Sequence, residues 1–255
     1  MLLTTFENQF AAVWEGIVAA VVVLLSIIAI IRYVKKRSGV AFTLAIALTF
    51  FAIAMIFQVI GQVLTNDNFP VYGSLWSSGN PLWGAGWMLQ LVEQFQFAYF
   101  FLILGLLMLF RFALLLNPDN KKSTLLSAIA LALAIAIIAF GVIRAQFPIA
   151  NLGDVQAILY EMDPWVIVFG LLMVIPMISV AWRMYVRIQA GTVEQRRLRF
   201  MVLMGWILLA MLAMFVLQAV FGALSLPDAG YWVNMVGFGA AMVASICAYL
   251  SFYAR

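Results

Sequence analysis

The chain has 255 residues, of which 67% are hydrophobic and 9% are charged, and its formal net charge is +4. Soluble domains are about half apolar and a quarter charged, so this composition excludes a soluble fold and indicates an integral membrane protein. The sequence has no histidine and one cysteine, which excludes His-ligated haem and His-based catalysis and argues against zinc sites and intrachain disulfides. The basic residues lie beside hydrophobic stretches, which indicates membrane topology and not nucleic-acid binding.

The hydrophobic stretches are long enough to cross a bilayer and predict an all-α bundle of seven transmembrane helices in one domain. The N-terminus lacks the basic segment and the cleavage site of a signal peptide, so we expect the first span to be retained. No soluble domain is expected. The predicted spans are residues 10–33, 40–64, 87–116, 123–147, 165–188, 200–224 and 231–253.

The distribution of Lys and Arg residues predicts the orientation of these spans in the membrane. With the N-terminus outside, Arg144 is the only one of the 14 Lys and Arg residues on the outer side. The positive-inside rule therefore predicts an outer N-terminus and a cytoplasmic C-terminus, in a multi-pass protein of the cell membrane. We interpret Arg144 as reaching the lipid headgroups, with an ion pair to Glu15, Glu93 or a loop acid such as Asp154 as the alternative.

The third span carries an unusual density of polar residues in its first half. Gln90, Glu93, Gln94 and Phe97 are spaced at i, i+3, i+4 and i+7, so they share one helical face, which we expect to turn inward. A carboxylate in a membrane span is costly unless it is neutralised, paired or wetted, so Glu93 is the leading candidate for a functional residue. The alternative is a packing residue that is hydrogen-bonded or protonated between helices.

Polar side chains from five spans fall in the predicted outer half and indicate a polar pocket there. Because the outer loops are otherwise acidic, a cationic or neutral ligand is favoured over an anion. The alternative is that each amide bonds to a neighbouring helix. The candidate ligand-binding residues are Glu15, Gln58, Gln62, Gln90, Glu93, Gln94, Gln218 and Asn234.

Two long connections have patterns of their own. Residues 66–86 are rich in Gly, Pro, Ser and aromatic side chains, which is typical of a lid or an interfacial loop. Val155, Ile158, Leu159 and Met162 have helical spacing, so a short amphipathic helix is expected along the membrane surface.

Local patterns predict several details of the helices. Thr192 and Gln195 have the spacing of a capping box, and Pro176 is expected to kink the fifth span. Small side chains at intervals of four residues favour close approach of a neighbouring helix. One such stripe is Ala128, Ala132 and Ala136, and another is Gly237, Ala241 and Ser245.

Motifs of soluble enzymes are absent, including phosphate-binding loops, nucleophile elbows and paired catalytic carboxylates within one element. The last span has no lysine to form a retinal Schiff base, which excludes a microbial rhodopsin. We expect no cofactor and no enzymatic activity.

Two functions stay open: a sensor-like or small-molecule-binding bundle, or an accessory subunit of a larger membrane complex. The expected partners are lipids and another membrane or cytoplasmic protein, and a proton- or ion-coupled role through Glu15 and Glu93 ranks third.

One resemblance follows from the order of the segments. The third span begins WMLQLVEQFQFAYFF and ends in Arg111, and the connection EQRRLRF later leads through LSLPDAG into the last span. This succession resembles the seven-helix N-terminal sensor region of some prokaryotic histidine kinases, over nearly the whole chain and mainly in hydropathy and loop charge. The resemblance implies signalling. Such proteins continue into a cytoplasmic output domain, whereas this chain ends at Arg255, so we expect a signal to pass to a separate partner.

Overall fold

The computed structural model describes residues 2–65, 96–116, 123–146, 162–224 and 226–253. These residues form helices and no strand, and every helix is long and apolar enough to cross a membrane. The predicted all-α transmembrane bundle is therefore confirmed. The helices are α1 (Leu2–Lys36), α2 (Gly39–Thr65), α3 (Gln96–Leu116), α4 (Ser123–Gln146), α5 (Met162–Arg187), α6 (Val193–Ala223) and α7 (Pro227–Tyr253).

The start of α6 shows how a local signal sets a helix boundary. The helix begins at Val193 rather than near residue 200, because Thr192 caps it: the Gln195 backbone N–H donates to Thr192 Oγ1 at 3.2 Å. The Gln195 side chain reaches back and accepts a hydrogen bond from the Gly191 N–H at 2.8 Å. The predicted cap by Thr192 is thus confirmed, but the Gln195 side chain bonds to the backbone N–H of Gly191, whereas a capping box requires that of Thr192.

Six helices form a closed ring in the order α1, α2, α3, α5, α6, α7. The remaining helix, α4, packs outside this ring against α3 and α5. Among the described spans α3 is the most buried, and it contacts α2, α4 and α5.

The ring closes between α1 and α7, which run parallel. At one end Trp14 Nε1 donates to the Met235 carbonyl at 3.0 Å, and at the other the Tyr253 hydroxyl donates to the Ala29 carbonyl at 3.2 Å. The Arg32 guanidinium lies 5.0 Å from the centre of the Tyr253 ring, within cation–π range. These contacts set the register of the two helices at both ends.

The small-residue stripe of α7 is buried, as predicted, and Gly237 packs against Met214 of α6. The stripe predicted on α4 is exposed in this bundle, so its contact with another helix stays a prediction. Ala130 and Ala134 face the bundle, because among the described helices α4 packs mainly on α3 and α5, and its alanines occur on every face. The alanines that are exposed instead are Ala128, Ala132 and Ala136.

Charge is concentrated at one end of the bundle, which we call the basic end: the end where α1, α3 and α5 finish and α2, α4 and α6 begin. Arg144 lies at the opposite end of α4. Orientation relative to the membrane stays a prediction, and the predicted lid at 66–86 lies outside the described residues. So does the surface helix predicted from Val155 to Met162, except for Met162 itself, which begins α5. The described basic residues at the basic end are Arg32, Lys35, Lys36, Arg37, Arg111, Arg183, Arg187, Arg196, Arg197 and Arg199.

Candidate functional site

A cavity of about 310 Å³ lies inside the ring, toward the end opposite the basic end. We call it the ring cavity. Five helices line it, and each contributes residues near the same end of the bundle. The lining residues are Ala54, Met55 and Gln58 of α2, Ala98, Tyr99 and Leu102 of α3, Val166 and Ile167 of α5, Phe215, Gln218 and Ala219 of α6, and Asn234 and Phe238 of α7.

Three of the candidate residues predicted from sequence meet in this cavity: Gln58, Gln218 and Asn234. Each is an amide in a helix that is otherwise apolar at that depth, so the lowest-energy rotation of the helix turns the amide away from lipid. An amide offers two N–H donors and a carbonyl acceptor. The ring cavity is therefore an apolar space that carries hydrogen-bonding groups on three walls.

Glu15 is buried, with 1% of its surface exposed, but it does not line the ring cavity. It lies on the face of α1 that carries Ala11 and Val18, which packs toward α2 and α7. The hydrogen bond from the adjacent Trp14 to Met235 sets Glu15 at about the depth of the cavity. The structure thus places this carboxyl at the predicted level but on a different wall from the three amides.

The other four candidates cannot be placed relative to the cavity. Gln62 belongs to the last turn of α2, but its side chain is outside the described part of the chain. Gln90, Glu93 and Gln94 also lie outside the described residues, with both their backbone and their side chains.

Phe97 is the described member of the face that was predicted to turn inward. Its ring stacks on Phe57 of α2, with centroids 5.1 Å apart, and it does not line the cavity. The residues of α3 that line the cavity are Ala98, Tyr99 and Leu102. Consecutive residues of a helix are rotated by about 100° about its axis, so Ala98 and Phe97 point in different directions. Phe97 thus contacts α2 while its neighbours line the cavity, and the orientation predicted for Gln90, Glu93 and Gln94 stays a prediction.

The polar lining residue that sequence reasoning missed is Tyr99. The signal was present, because a tyrosine inside the phenylalanine-rich run FAYFF has a hydroxyl that needs a partner when it is buried. Tyr99 is partly buried and lines the cavity beside Ala98. It adds a phenol to the three amides.

The ring cavity ends near the middle of the bundle. Met55 and Leu102 form part of its floor and also border a second space of about 10 Å³, lined by apolar side chains such as Phe51, Leu109 and Met211. A space of that size holds at most about one water molecule. Within the described residues, the axis of the ring is therefore packed toward the basic end.

The chemistry of the described lining residues is neutral. They supply amides and a phenol but no ionised side chain, so they can bind and orient a molecule through hydrogen bonds. Among the residues that the structure describes, no group of three His, Cys, Asp or Glu side chains is placed to hold a metal ion.

Comparison of the chain with protein families, with characterised proteins and with solved structures finds no match.

Proposed function

We propose that this protein is a sensor-like membrane receptor that binds a small neutral molecule in the ring cavity. The observation that carries the proposal is the convergence of Gln58, Gln218 and Asn234, from three helices, on one cavity of about 310 Å³. Ligand pockets in proteins are mostly apolar spaces of about 300–1,000 Å³ with a few convergent polar groups. The ring cavity has this composition, at the small end of the range.

The lining favours an uncharged ligand. An ion in a low-dielectric cavity needs an opposite charge, and the described lining residues provide none. A neutral molecule with an apolar body and two or three hydrogen-bonding groups matches amides on α2, α6 and α7 and the phenol of α3. Single amides between two helices are common packing devices, but such a role does not call for three of them around one open space.

A ligand there contacts five helices at once, which is how binding would change the bundle. It favours whichever arrangement of these helices gives it better contacts, and the size of the response is set by that difference in affinity. The most compliant of the five is α5, since Pro176 lies inside it and removes one backbone hydrogen bond. A shift in the position of α5 would move Arg183 and Arg187 at the basic end, where a separate partner protein would bind.

The test is a thermal-stability screen of the purified protein with a library of uncharged metabolites. A compound that binds the folded protein raises its stability by about 2.7 kcal/mol at a hundred times its dissociation constant. Asn234→Leu keeps a similar volume and removes an amide, and Ala98→Leu fills part of the cavity. Ala136→Leu is the matched control, because Ala136 is exposed on α4, far from the cavity.

We expect at least one compound that stabilises the wild type and Ala136→Leu but neither cavity variant. Stabilisation that persists in both Asn234→Leu and Ala98→Leu would place binding elsewhere. A complete absence of stabilising compounds would count against a receptor.

A second function, an accessory subunit of a membrane complex, is favoured by the exposed alanine line of α4. Ala132 and Ala136 are exposed on α4, with no described helix packed on them, and small side chains permit close helix approach. Purification in a mild detergent from native membranes separates the two functions. A stoichiometric membrane subunit that is lost on Ala132→Leu supports the subunit role, whereas a monodisperse protein with no such partner supports the receptor.

A further inference from the structure

A second cavity, of about 300 Å³, lies between α3 and α4 at the basic end. We call it the α3–α4 groove. Its walls on α3 include Leu107 and Arg111, and its walls on α4 include Thr124, Ser127 and Leu131. None of these residues lines the ring cavity, so the groove is a separate site.

The groove has a polar end and an apolar end. Since α3 and α4 run antiparallel, Arg111 lies near the level of Ser127, and Leu107 lies near the level of Leu131. Four residues of helix correspond to about 6 Å, so the leucines lie about 6 Å farther from the basic end than the arginine. A molecule that fills the groove therefore meets a cation and hydroxyl groups at one end and leucine side chains at the other.

Arg111 is exposed and lies within a span, near its basic end. Within the part of the chain that the structure describes, no carboxylate pairs with its guanidinium. A guanidinium at this depth reaches toward the headgroup region, where its planar fork of N–H groups matches the oxygens of a phosphate. The connection that follows α3 in the sequence contains Lys121 and Lys122 with one acid, Asp119, so the local charge is positive.

We infer that the α3–α4 groove binds an anionic glycerophospholipid. The lipid phosphate accepts hydrogen bonds from Arg111 and from the hydroxyls of Thr124 and Ser127, and one acyl chain lies along Leu107 and Leu131. The charge complementarity selects the headgroup, and the apolar walls select an acyl chain over a free anion. The bound lipid fills the gap that α4 leaves by packing outside the ring, and so couples α4 to α3.

The experiment is native mass spectrometry of the full chain in a neutral detergent. Palmitoyl-oleoyl phosphatidylglycerol is titrated against phosphatidylcholine with the same acyl chains. Three variants are compared with the wild type. Arg111→Gln removes the charge, Ala128→Phe narrows the groove between α3 and α4, and Arg183→Gln is the matched control, an exposed arginine at the basic end of α5 outside the groove.

We expect one phosphatidylglycerol to bind in preference to phosphatidylcholine. Arg111→Gln should weaken phosphatidylglycerol binding about fivefold, because one basic side chain near the membrane surface contributes about that much, and should weaken phosphatidylcholine binding less, because that lipid has the phosphate but no net charge. Ala128→Phe should weaken both lipids, and Arg183→Gln should weaken neither. Because Arg111 is exposed, its replacement should leave the circular dichroism melting curve unchanged.

Three results would overturn the inference. Equal losses in Arg111→Gln and Arg183→Gln would mean that the lipid responds only to the overall charge of the basic end. Displacement of the lipid by millimolar inorganic phosphate, with Ala128→Phe still binding normally, would mean a free-anion site. A dimer that binds no lipid while the monomer does would assign the groove to a helix of a second copy.

Discussion

The close approach of α5 and α6 leaves no room for a side chain at Gly205. A Cβ added at Gly205 would overlap Cγ1 of Ile178, and it would lie 3.4 Å from the Met177 methyl group. Cγ1 is the stem of the isoleucine side chain and not its flexible end, so a rotation of the terminal methyl group does not relieve the overlap. Gly205→Ala therefore forces α5 and α6 apart or forces Ile178 out of its rotamer.

The magnitude follows from a comparison with Gly16. Overpacking of a buried interface costs about 1–3 kcal/mol. Replacing a helical glycine by alanine also gains up to about 1 kcal/mol of helix propensity, but Gly16→Ala makes the same gain, and nothing lies within 4 Å of its added Cβ. The two variants should thus differ in unfolding free energy by about 1–3 kcal/mol. Gly170→Ala should fall between them, because its Cβ meets the terminal methyl groups of Leu212 at 2.8 and 2.9 Å.

The assay is reversible unfolding in mixed micelles with increasing sodium dodecyl sulfate, followed by tryptophan fluorescence. We expect the order of stability Gly16→Ala, then Gly170→Ala, then Gly205→Ala. Equal stability of the Gly16 and Gly205 variants would refute the reasoning, because α5 and α6 would then not approach as closely as the structure places them. Since α5 and α6 also carry Ile167 and Gln218 of the ring cavity, Gly205→Ala should weaken binding of any ring-cavity ligand.

Three further predictions concern the ring closure, the start of α6 and the membrane orientation. Trp14→Phe should cost about 1 kcal/mol in the same unfolding assay, since the Met235 carbonyl loses its donor, and an unchanged midpoint would show that this bond contributes nothing. Thr192→Ala should lower the free energy of unfolding by about 0.5–2 kcal/mol, and Thr192→Ser should hardly change it. Equal effects of the two substitutions would show that Thr192 does not stabilise the helix as a cap. With the N-terminus outside, a cysteine at Ser77 should react with an impermeant maleimide on intact cells and one at Asn120 should not, and the native chain is a silent background because its one cysteine is buried. Labelling of the cysteine at position 120 would show that the orientation is the opposite of the predicted one.

The sequence predicted a shared pocket for eight polar residues, and the structure brings three of them together beside Tyr99, which was not predicted. Gln58, Gln218 and Asn234 were chosen by one rule, that polar side chains in a span avoid lipid, and the structure turns all three toward one cavity. The same rule chose Glu15, which is buried on another wall at a similar depth. Depth along a span is readable from the number of residues to the membrane edge. Rotation about the helix axis depends on the neighbours, as the stacking of Phe97 on Phe57 shows.

The sequence by itself determined the existence of seven spans, their approximate ends and the concentration of positive charge at one end of the bundle. These features depend on physics local to each segment. A helix satisfies its own backbone hydrogen bonds in lipid, about 20 apolar residues cross the bilayer, and Thr192 caps the helix that follows it.

Only the tertiary structure decided which helices are neighbours, that α4 packs outside the ring, and that Ala130 and Ala134 are buried while Ala132 is exposed. It also decided that five helices line one cavity. The physical reason is that lipid tails are as apolar as a leucine core, so hydrophobicity distinguishes membrane from water but not lipid from protein. Whether a helix face contacts lipid or another helix is decided by packing. Packing in turn depends on the fit between side chains from segments that are distant in the chain.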